Sequence, residues 1–143
     1  MSVEVFYKET EILDLDPEFF VLWLGSVCSN HRKKLNVVTI IITNDDSLLE
    51  MNKRYLNHDY YTDILTFDNS VEGNEISGDL FISIERVLEN ARDNNVSRET
   101  ELNRVIVHGV LHLIGFNDKN SEEASGMRNA ENEALDLIVP RET

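Results

Sequence analysis

The sequence predicts an α/β fold, of the kind also described as α+β, in which a single mixed sheet of about four strands packs with about five helices. Strand patterns and helix patterns alternate along the chain, without an internal repeat or a linker. The run Val-Val-Thr-Ile-Ile-Ile at positions 37–42 is typical of a central strand buried on both faces. The chain has 143 residues, 41% hydrophobic and 28% charged, so we expect one domain over residues 1–143.

Four segments carry strand patterns. Residues 2–8 alternate apolar and polar side chains, and residues 35–43 contain the β-branched run. Residues 60–67 and 76–84 are two further short strands, and we expect them to lie side by side. The polar segment 70–74 between them contains Gly73 and predicts a turn or a mobile loop.

Helix start signals precede the helical segments. Asp16 followed by Pro17 predicts the N-terminus of a helix over residues 18–34, with Trp23 in the core. The basic cluster at 31–34 then lies in the last turn, where the helix dipole favours it, and we prefer that role over an RNA contact. The other predicted helices are 47–54, 85–94, one that carries the metal site and is capped by Ser97, and 121–138, with a frayed tail at 140–143.

Composition restricts the classes of function. Cys28 is the only cysteine, so no intramolecular disulfide can form, which fits a reducing cytosol. The N-terminus has no apolar signal-peptide core, and no stretch reaches the ~20 apolar residues of a membrane span. We therefore expect a cytoplasmic protein without a membrane partner. The net charge of −14 disfavours non-specific binding to nucleic acid, although a local basic patch or a bound metal ion can reverse the potential at a site.

The stretch at positions 104–118 predicts a metal site at the end of a central helix. His108 and His112 are four residues apart, which places both imidazoles on one face of a helix. Gly115 allows the helix to end in a left-handed turn, which carries Asp118 back toward that face. Two imidazoles and a carboxylate form a site for a divalent transition metal, most often zinc.

Other interpretations of these residues stay open. Two histidines at this spacing also occur as core or surface residues, and Asp118 has an alternative role as a turn residue that accepts backbone hydrogen bonds. Gly109 stands where the peptidase motif H-E-x-x-H has its glutamate general base, so the metal frame predicts chemistry other than peptide hydrolysis. The apolar positions that bury this helix as a rigid platform are Val105, Ile106, Leu111 and Leu113.

Three segments resemble the YbeY family of metal-dependent endoribonucleases. The family hallmark H-G-x-L-H-L-x-G-[YF]-D-H is matched from His108 to Phe116 by His-Gly-Val-Leu-His-Leu-Ile-Gly-Phe. The family's L-N-x-x-[WYF]-R and T-D-V-L-S-F are similar to the segments beginning at positions 51 and 62, and its G-D-I-x-I-S to the segment beginning at position 78. The segments occur in the family's order, which makes the match specific.

The resemblance implies a single-strand-specific, zinc-dependent endoribonuclease that acts in rRNA processing, at the 3′ end of 16S rRNA, and in ribosome biogenesis and quality control. Its partner is then single-stranded rRNA of the small ribosomal subunit. One zinc ion per chain, or another divalent transition metal, is expected on His108, His112 and Asp118, and the two histidines are expected to be catalytic through the water that the metal activates. Whether that water or the 2′-hydroxyl of the RNA is the nucleophile stays open.

Two positions depart from the family pattern. Asp118 stands where the family has its third histidine, and its negative charge makes a bound zinc a weaker Lewis acid. Leu56 stands where the family has an arginine, so positive charge for the substrate must come from elsewhere. The candidate substrate cations nearby are Lys53, Arg54 and His58. The candidates for lining the cleft, with an equal claim as strand caps or turn residues, are Thr62, Asp63 and Ser83.

A second hypothesis is a ribosome-associated assembly factor whose zinc is mainly structural, with little nuclease activity. The missing arginine and the charge of −14 favour it. Structural zinc sites normally have four protein ligands, however, and the motif supplies three. A zinc peptidase is a third and weaker hypothesis, because Gly109 replaces the glutamate.

Overall fold

The computed structural model describes residues 1–71 and 73–138, and within them it contains four strands and five helices, as the sequence predicts. The strands are β1 (Ser2–Tyr7), β2 (Lys34–Thr43), β3 (Ile64–Asp68) and β4 (Glu75–Ser83). The helices are α1 (Pro17–Asn30), α2 (Asp45–Leu56), α3 (Ile84–Asp93), α4 (Arg98–Ile114) and α5 (Ser121–Asp136). The predicted frayed tail at 140–143 and position 72 of the predicted loop lie outside the described residues.

The four strands form one mixed sheet in the order β1-β2-β4-β3. The pairs β1/β2 and β2/β4 are parallel, and β3 pairs with β4 in the antiparallel direction. The expected side-by-side arrangement of β3 and β4 is therefore confirmed. Because β3 is an edge strand, the loop that leads into it lies at the rim of the sheet, beside the C-terminal half of α2.

Only one face of the sheet is fully buried. Along β2, Val38, Ile40 and Ile42 have no exposed surface, whereas Val37 on the other face is 41% exposed. On that other face the neighbouring β1 carries Phe6, which is also exposed. The expectation of a strand buried on both faces is wrong, because the helices that cover the sheet leave this face partly open.

Helix α1 ends at Asn30, and the expected extension to residue 34 is wrong. Arg32 adopts a left-handed conformation with φ of 62°. Its N–H donates to the carbonyl of Ser29 at 3.0 Å, and the N–H of Lys33 donates to the carbonyl of Cys28 at 2.9 Å. These two bonds form a Schellman motif, which ends the helix without a glycine. The basic cluster consequently lies in the turn and at the start of β2, not in the last turn of a helix.

Helix α4 is the most buried helix of the fold and positions the site. Nine of its 17 residues are buried, among them the four that the sequence predicts. Its cap is confirmed, since the Ser97 hydroxyl accepts from the N–H of Thr100 at 3.0 Å. The predicted core position of Trp23 is also confirmed, and its indole N–H donates to the carbonyl of Ala134 at 2.8 Å, which ties α1 to α5. Within the described ranges, no helix combines the length and the apolar character that crossing a bilayer requires.

Candidate metal centre

The three residues expected to bind metal meet at the C-terminal end of α4. His108 and His112 lie in its last two turns, and their Nε2 atoms are 3.1 Å apart. The helix ends at Gly115, whose φ of 127° is in the region that favours glycine. The chain then returns, and Oδ2 of Asp118 lies 3.3 Å from Nε2 of His108 and 3.6 Å from Nε2 of His112. The structure therefore brings all three predicted side chains together.

The spacing of these three atoms fits one face of a zinc tetrahedron. Ligand atoms about 2.0–2.1 Å from a tetrahedral zinc ion are about 3.3–3.4 Å from one another. The three separations of 3.1, 3.3 and 3.6 Å bracket that value. In the part of the chain that the structure describes, no fourth histidine, cysteine or carboxylate joins the group, which leaves one vertex without a protein donor. Such an open vertex is typical of a catalytic zinc site.

Hydrogen bonds at the far side of each ring orient the histidines. Nδ1 of His112 lies 2.9 Å from the carbonyl oxygen of Phe116. Because a carbonyl only accepts, this Nδ1 carries a proton and Nε2 of the neutral ring has a lone pair. Nδ1 of His108 lies 2.6 Å from the Oε2 atom of Glu131 and is held in the same way. The lone pairs on the two Nε2 atoms and the carboxylate oxygen of Asp118 then point toward one another. A cation bound among these three atoms would offset their mutual repulsion.

Glu131 belongs to the site by its contacts, and the sequence reasoning missed it. It lies in α5, is only 5% exposed, and accepts a second hydrogen bond from Nη1 of Arg104 at 3.0 Å. Burial by itself raises the pKa of Glu131, but the hydrogen bonds from His108 and Arg104 outweigh it and hold that pKa below its ordinary value. The signal in the sequence is a lone carboxylate on the apolar side of a helix, between Ala130 and Ala134. Glu131 thus enters the site as a charged anchor for the His108 ring.

Burial and charge shift the protonation of two more groups at the site. Burial lowers the pKa of His108, but the hydrogen bond to Glu131 and the negative charges of Glu131, Asp63 and Asp118 reverse this and raise it. Burial is the main cause of the raised pKa of Asp63. The site therefore holds carboxylates close together and stabilises positive charge, which is the electrostatic condition for binding a cation.

The three donors line a cavity of about 500 Å³, whose other wall is formed by α2 and the loop before β3. Thr62 and Asp63 line it, as the sequence suggests, and so does Asp68. Ser83 does not. It is fully buried, accepts from the N–H of Arg86 to cap α3, and donates to Asp45 at 2.6 Å. The alternative role of Ser83 as a cap is the one the structure has.

Of the three candidate cations, only His58 lines this cavity. Arg54 lies 3.8 Å from Glu50 and lines a different cavity on the other side of α2. Lys53 lies 3.5 Å from Asp59, and both side chains are exposed. Leu56, at the family's arginine position, lies in the cavity wall. The lining that the structure describes therefore contains no lysine or arginine, and the assignment of Lys53 and Arg54 as substrate cations stays a prediction.

Gly109 has a structural reason to be glycine. A Cβ atom at this position would lie 2.8 Å from Cδ1 of Ile64 and 2.8 Å from Cδ2 of Leu80, both side chains of the sheet. Such distances are shorter than any ordinary contact, so α4 lies close to the strands only because this residue has no side chain. A glutamate base after the first histidine has no room in this packing.

A helix packed on a sheet, presenting two histidines and a carboxylate to a cleft, is an arrangement that metal-dependent hydrolases use. The family model described as Endoribonuclease YbeY matches residues 8–138. The chain belongs to the endoribonuclease YbeY family, whose members are metal-dependent hydrolases.

Relatives with this family's name, and one solved structure, match most of the chain. The Endoribonuclease YbeY of Bacteroides fragilis is 49% identical over 113 residues, which are 79% of this chain and 81% of the relative. That of Parabacteroides distasonis is 41% identical over 142 residues, 99% of each chain. The solution structure of a Thermotoga maritima protein matches with a TM-score of 0.63 and 26% identity, and covers 95% of this chain and 88% of the other.

Proposed function

We propose that this protein is a zinc-dependent endoribonuclease specific for single-stranded RNA, acting in the cytoplasm in rRNA processing at the 3′ end of 16S rRNA and in ribosome biogenesis and quality control. The observation that carries the proposal is the group of His108, His112 and Asp118, which has tetrahedral spacing, three protein donors and an opening into a cleft. A zinc ion bound there supplies Lewis acidity for the phosphodiester and for its nucleophile.

The residues around the group prepare it for the metal. Glu131 and the carbonyl of Phe116 keep protons on the Nδ1 atoms, so both Nε2 atoms are available as donors. The carboxylate of Asp118 is 41% exposed, which makes it the member of the metal group most accessible to solvent.

One observation favours the second candidate, a ribosome-associated assembly factor with a mainly structural zinc. Neither lysine nor arginine is among the described residues that line the cavity, and the net charge is −14. Affinity for naked RNA therefore has little electrostatic support. The three-donor group argues against a structural zinc, because structural sites are normally closed by four protein ligands.

The two candidates differ in a combined measurement of metal content and RNA cleavage. The purified protein is analysed for zinc and incubated with single-stranded RNA, with and without a chelator, beside the His108→Ala variant. The endoribonuclease is expected to cleave RNA slowly, to stop on chelation, and to be inactive as His108→Ala. Bound zinc with no cleavage of any RNA, and unfolding on chelation, would indicate the assembly factor. Chelator-sensitive cleavage of casein would contradict both.

A further inference from the structure

We infer that His58 is a catalytic residue that gives a proton to the leaving 5′-oxygen of the scissile phosphodiester. The inference rests on the proposed endoribonuclease function and adds a role that the metal group does not provide. Cleavage of an RNA phosphodiester expels an alkoxide, which is a poor leaving group until it is protonated. A proton donor in the cleft, separate from the metal ligands, therefore speeds the departure of this oxygen.

The loop that carries His58 is fixed by a single residue of α2. Asn57 ends the helix in a left-handed conformation, with φ of 58°, and its N–H donates to the carbonyl of Asn52. The N–H of His58 donates to the same carbonyl at 3.0 Å. The side-chain amide of Asn52, itself 1% exposed, donates to the carbonyl of Tyr60 at 3.0 Å. His58 therefore has a defined backbone position in the wall of the cleft, although its side chain is exposed.

The ring of His58 is oriented by Tyr60. The two rings are stacked with centroids 5.1 Å apart and planes 20° apart. The Tyr60 hydroxyl lies 2.9 Å from Nδ1 of His58, so this nitrogen is engaged. In the described part of the chain Nε2 of His58 has no hydrogen-bond partner, and both residues line the cavity that holds the metal donors. An oriented imidazole with one engaged nitrogen and one open nitrogen is the arrangement that general acids use.

The other groups in the cavity wall are less suited to this role. His108 and His112 direct their Nε2 atoms at each other and at Asp118, and their Nδ1 atoms are engaged. Asp63 is held by the side-chain amide of Asn90, 3.4 Å from its Oδ2 atom. Among the three candidate cations of the sequence, His58 alone lies in this wall. Leu56, which stands at the family's arginine position and carries no charge, lines the same cavity wall as His58.

The proposed step balances in protons and electron pairs. The nucleophilic oxygen, from water or the 2′-hydroxyl, forms a bond to phosphorus and loses its proton to bulk water. The bond between phosphorus and the 5′-oxygen breaks, and its electron pair stays on that oxygen. The oxygen takes a proton from Nε2 of the cationic form of His58, whose Nδ1–H donates to the Tyr60 hydroxyl, and the neutral imidazole that remains then regains a proton from solvent. No oxidant, reductant or further reactant is needed.

The test uses two substrates that differ in their need for an acid. Single-stranded RNA has an alkoxide leaving group, whereas uridine 3′-(p-nitrophenyl phosphate), a nitrophenyl ester that keeps the 2′-hydroxyl, releases a nitrophenolate that needs no proton. The zinc-loaded wild type is compared with His58→Gln, and with Arg92→Gln as a control that removes a positive charge from exposed α3 surface. We expect His58→Gln to cleave RNA about 100-fold more slowly and the nitrophenyl ester less than about threefold more slowly. Arg92→Gln should change neither rate, and zinc content should be equal in all three proteins.

The outcomes separate this inference from the function on which it rests. RNA cleavage undiminished in His58→Gln overturns the inference and leaves the endoribonuclease function standing. An equal loss on both substrates also overturns it, because His58 would then position the substrate and not protonate the leaving group. A wild type that cleaves no RNA overturns the endoribonuclease function and the inference together. Tyr60→Phe provides a second variant, in which loss of the orienting hydroxyl should slow RNA cleavage about tenfold or less and spare the ester.

Discussion

The two walls of the cleft are built in different ways. The metal wall belongs to α4, which buries nine of its 17 residues and holds its histidines with hydrogen bonds to Glu131 and to the backbone. The opposite wall belongs to α2, of which only Leu48 and Asn52 are buried, and to the exposed loop that follows it. Apolar packing fixes the first wall, whereas hydrogen bonds and ion pairs hold much of the second.

The two walls suit two different requirements of the proposed reaction, the rigid placement of metal ligands and the binding of a flexible RNA strand. Metal donors must be held within a fraction of an ångström before the ion arrives, and a buried helix end does this. Contacts to a flexible RNA strand need less rigidity, and the substrate must enter and leave. The metal wall should therefore respond to substitutions through metal affinity, and the α2 wall through turnover. The following experiments are ordered from the largest expected effect to the smallest.

Removal of one donor should abolish the metal site. His112→Ala takes away one of three ligand atoms, and we expect zinc affinity to fall by more than the roughly 100-fold that loss of a supporting residue costs, so that the purified variant contains no zinc. Zinc at 100 times its dissociation constant stabilises the wild type by about 2.7 kcal/mol, and this increment should vanish. Native mass spectrometry and thermal unfolding with and without zinc provide the measurements.

The matched control for His112→Ala comes from the other wall. His58→Ala removes an imidazole from the same cavity but not a metal donor, and it should retain one zinc ion per chain. If His58→Ala lost zinc as completely as His112→Ala, the two walls would not be separate in function, and the comparison would fail.

Asp118 tests how far the metal wall extends beyond the helix. Asp118→Asn keeps a side chain that can bond the turn but removes the anionic donor, and zinc affinity should fall at least about tenfold. Asp118→His restores the family's third histidine and should retain the metal. Competition with a chromogenic chelator measures both variants. Unchanged affinity in Asp118→Asn would assign Asp118 to the turn and leave the third donor to be found elsewhere.

Glu131 tests whether a residue without contact to the metal controls the site. Glu131→Gln keeps the shape of the side chain but removes the charge that orients His108 and balances Arg104. We expect zinc affinity to fall about tenfold, the lower end of what such supporting residues contribute. Glu133→Gln changes the same charge on an exposed position of the same helix and should leave affinity unchanged. Equal affinity in wild type and Glu131→Gln would show that helix packing alone orients the ring.

The sequence predicts those features of the metal wall that depend on residues close together in the chain. It does not predict the contact between α4 and α5. The two histidines, the glycine turn and Asp118 lie within eleven residues, so helix geometry alone predicts that they meet. Glu131 joins them only because α5 packs on α4, which no local pattern reveals, although a lone carboxylate on an apolar helix face was a usable signal. A buried charge in such a position needs a partner.

The errors in the fold have the same origin. The composition of β2 is the same whether one or two faces are covered, so the partly open face of the sheet could not be read from it. The early end of α1 depends on Arg32, a residue type that seldom ends a helix in the left-handed conformation. The sequence also could not show which of the candidate substrate cations, Lys53, Arg54 and His58, lines the cavity. The direction of each side chain on α2 and on the following loop decides this.

The last prediction concerns the charges that hold the α2 wall. Asp45, the first residue of α2, accepts from the Ser83 hydroxyl at 2.6 Å and from Nη2 of Arg86 at 2.7 Å, which ties the helix to the end of β4 and to α3. Burial raises the pKa of Asp45, but the hydrogen bonds from Arg86 and Ser83 outweigh it, and the net pKa is lower than the ordinary value of 3.8. The carboxylate therefore contributes stability that is fully present above its ordinary pKa and is lost as the pH falls through the lowered one.

We expect Asp45→Asn to be about 1–2 kcal/mol less stable than the wild type at pH 7, with the difference shrinking below about pH 4. Urea unfolding at pH 7, 5 and 3 measures this difference. Zinc affinity at pH 7 should stay within about twofold of the wild type, because no residue of α4 takes part in this network. A difference in stability that persists at pH 3 would remove charge as its cause. A large loss of zinc affinity would show instead that the α2 wall supports the metal wall, and that the two are one structural unit.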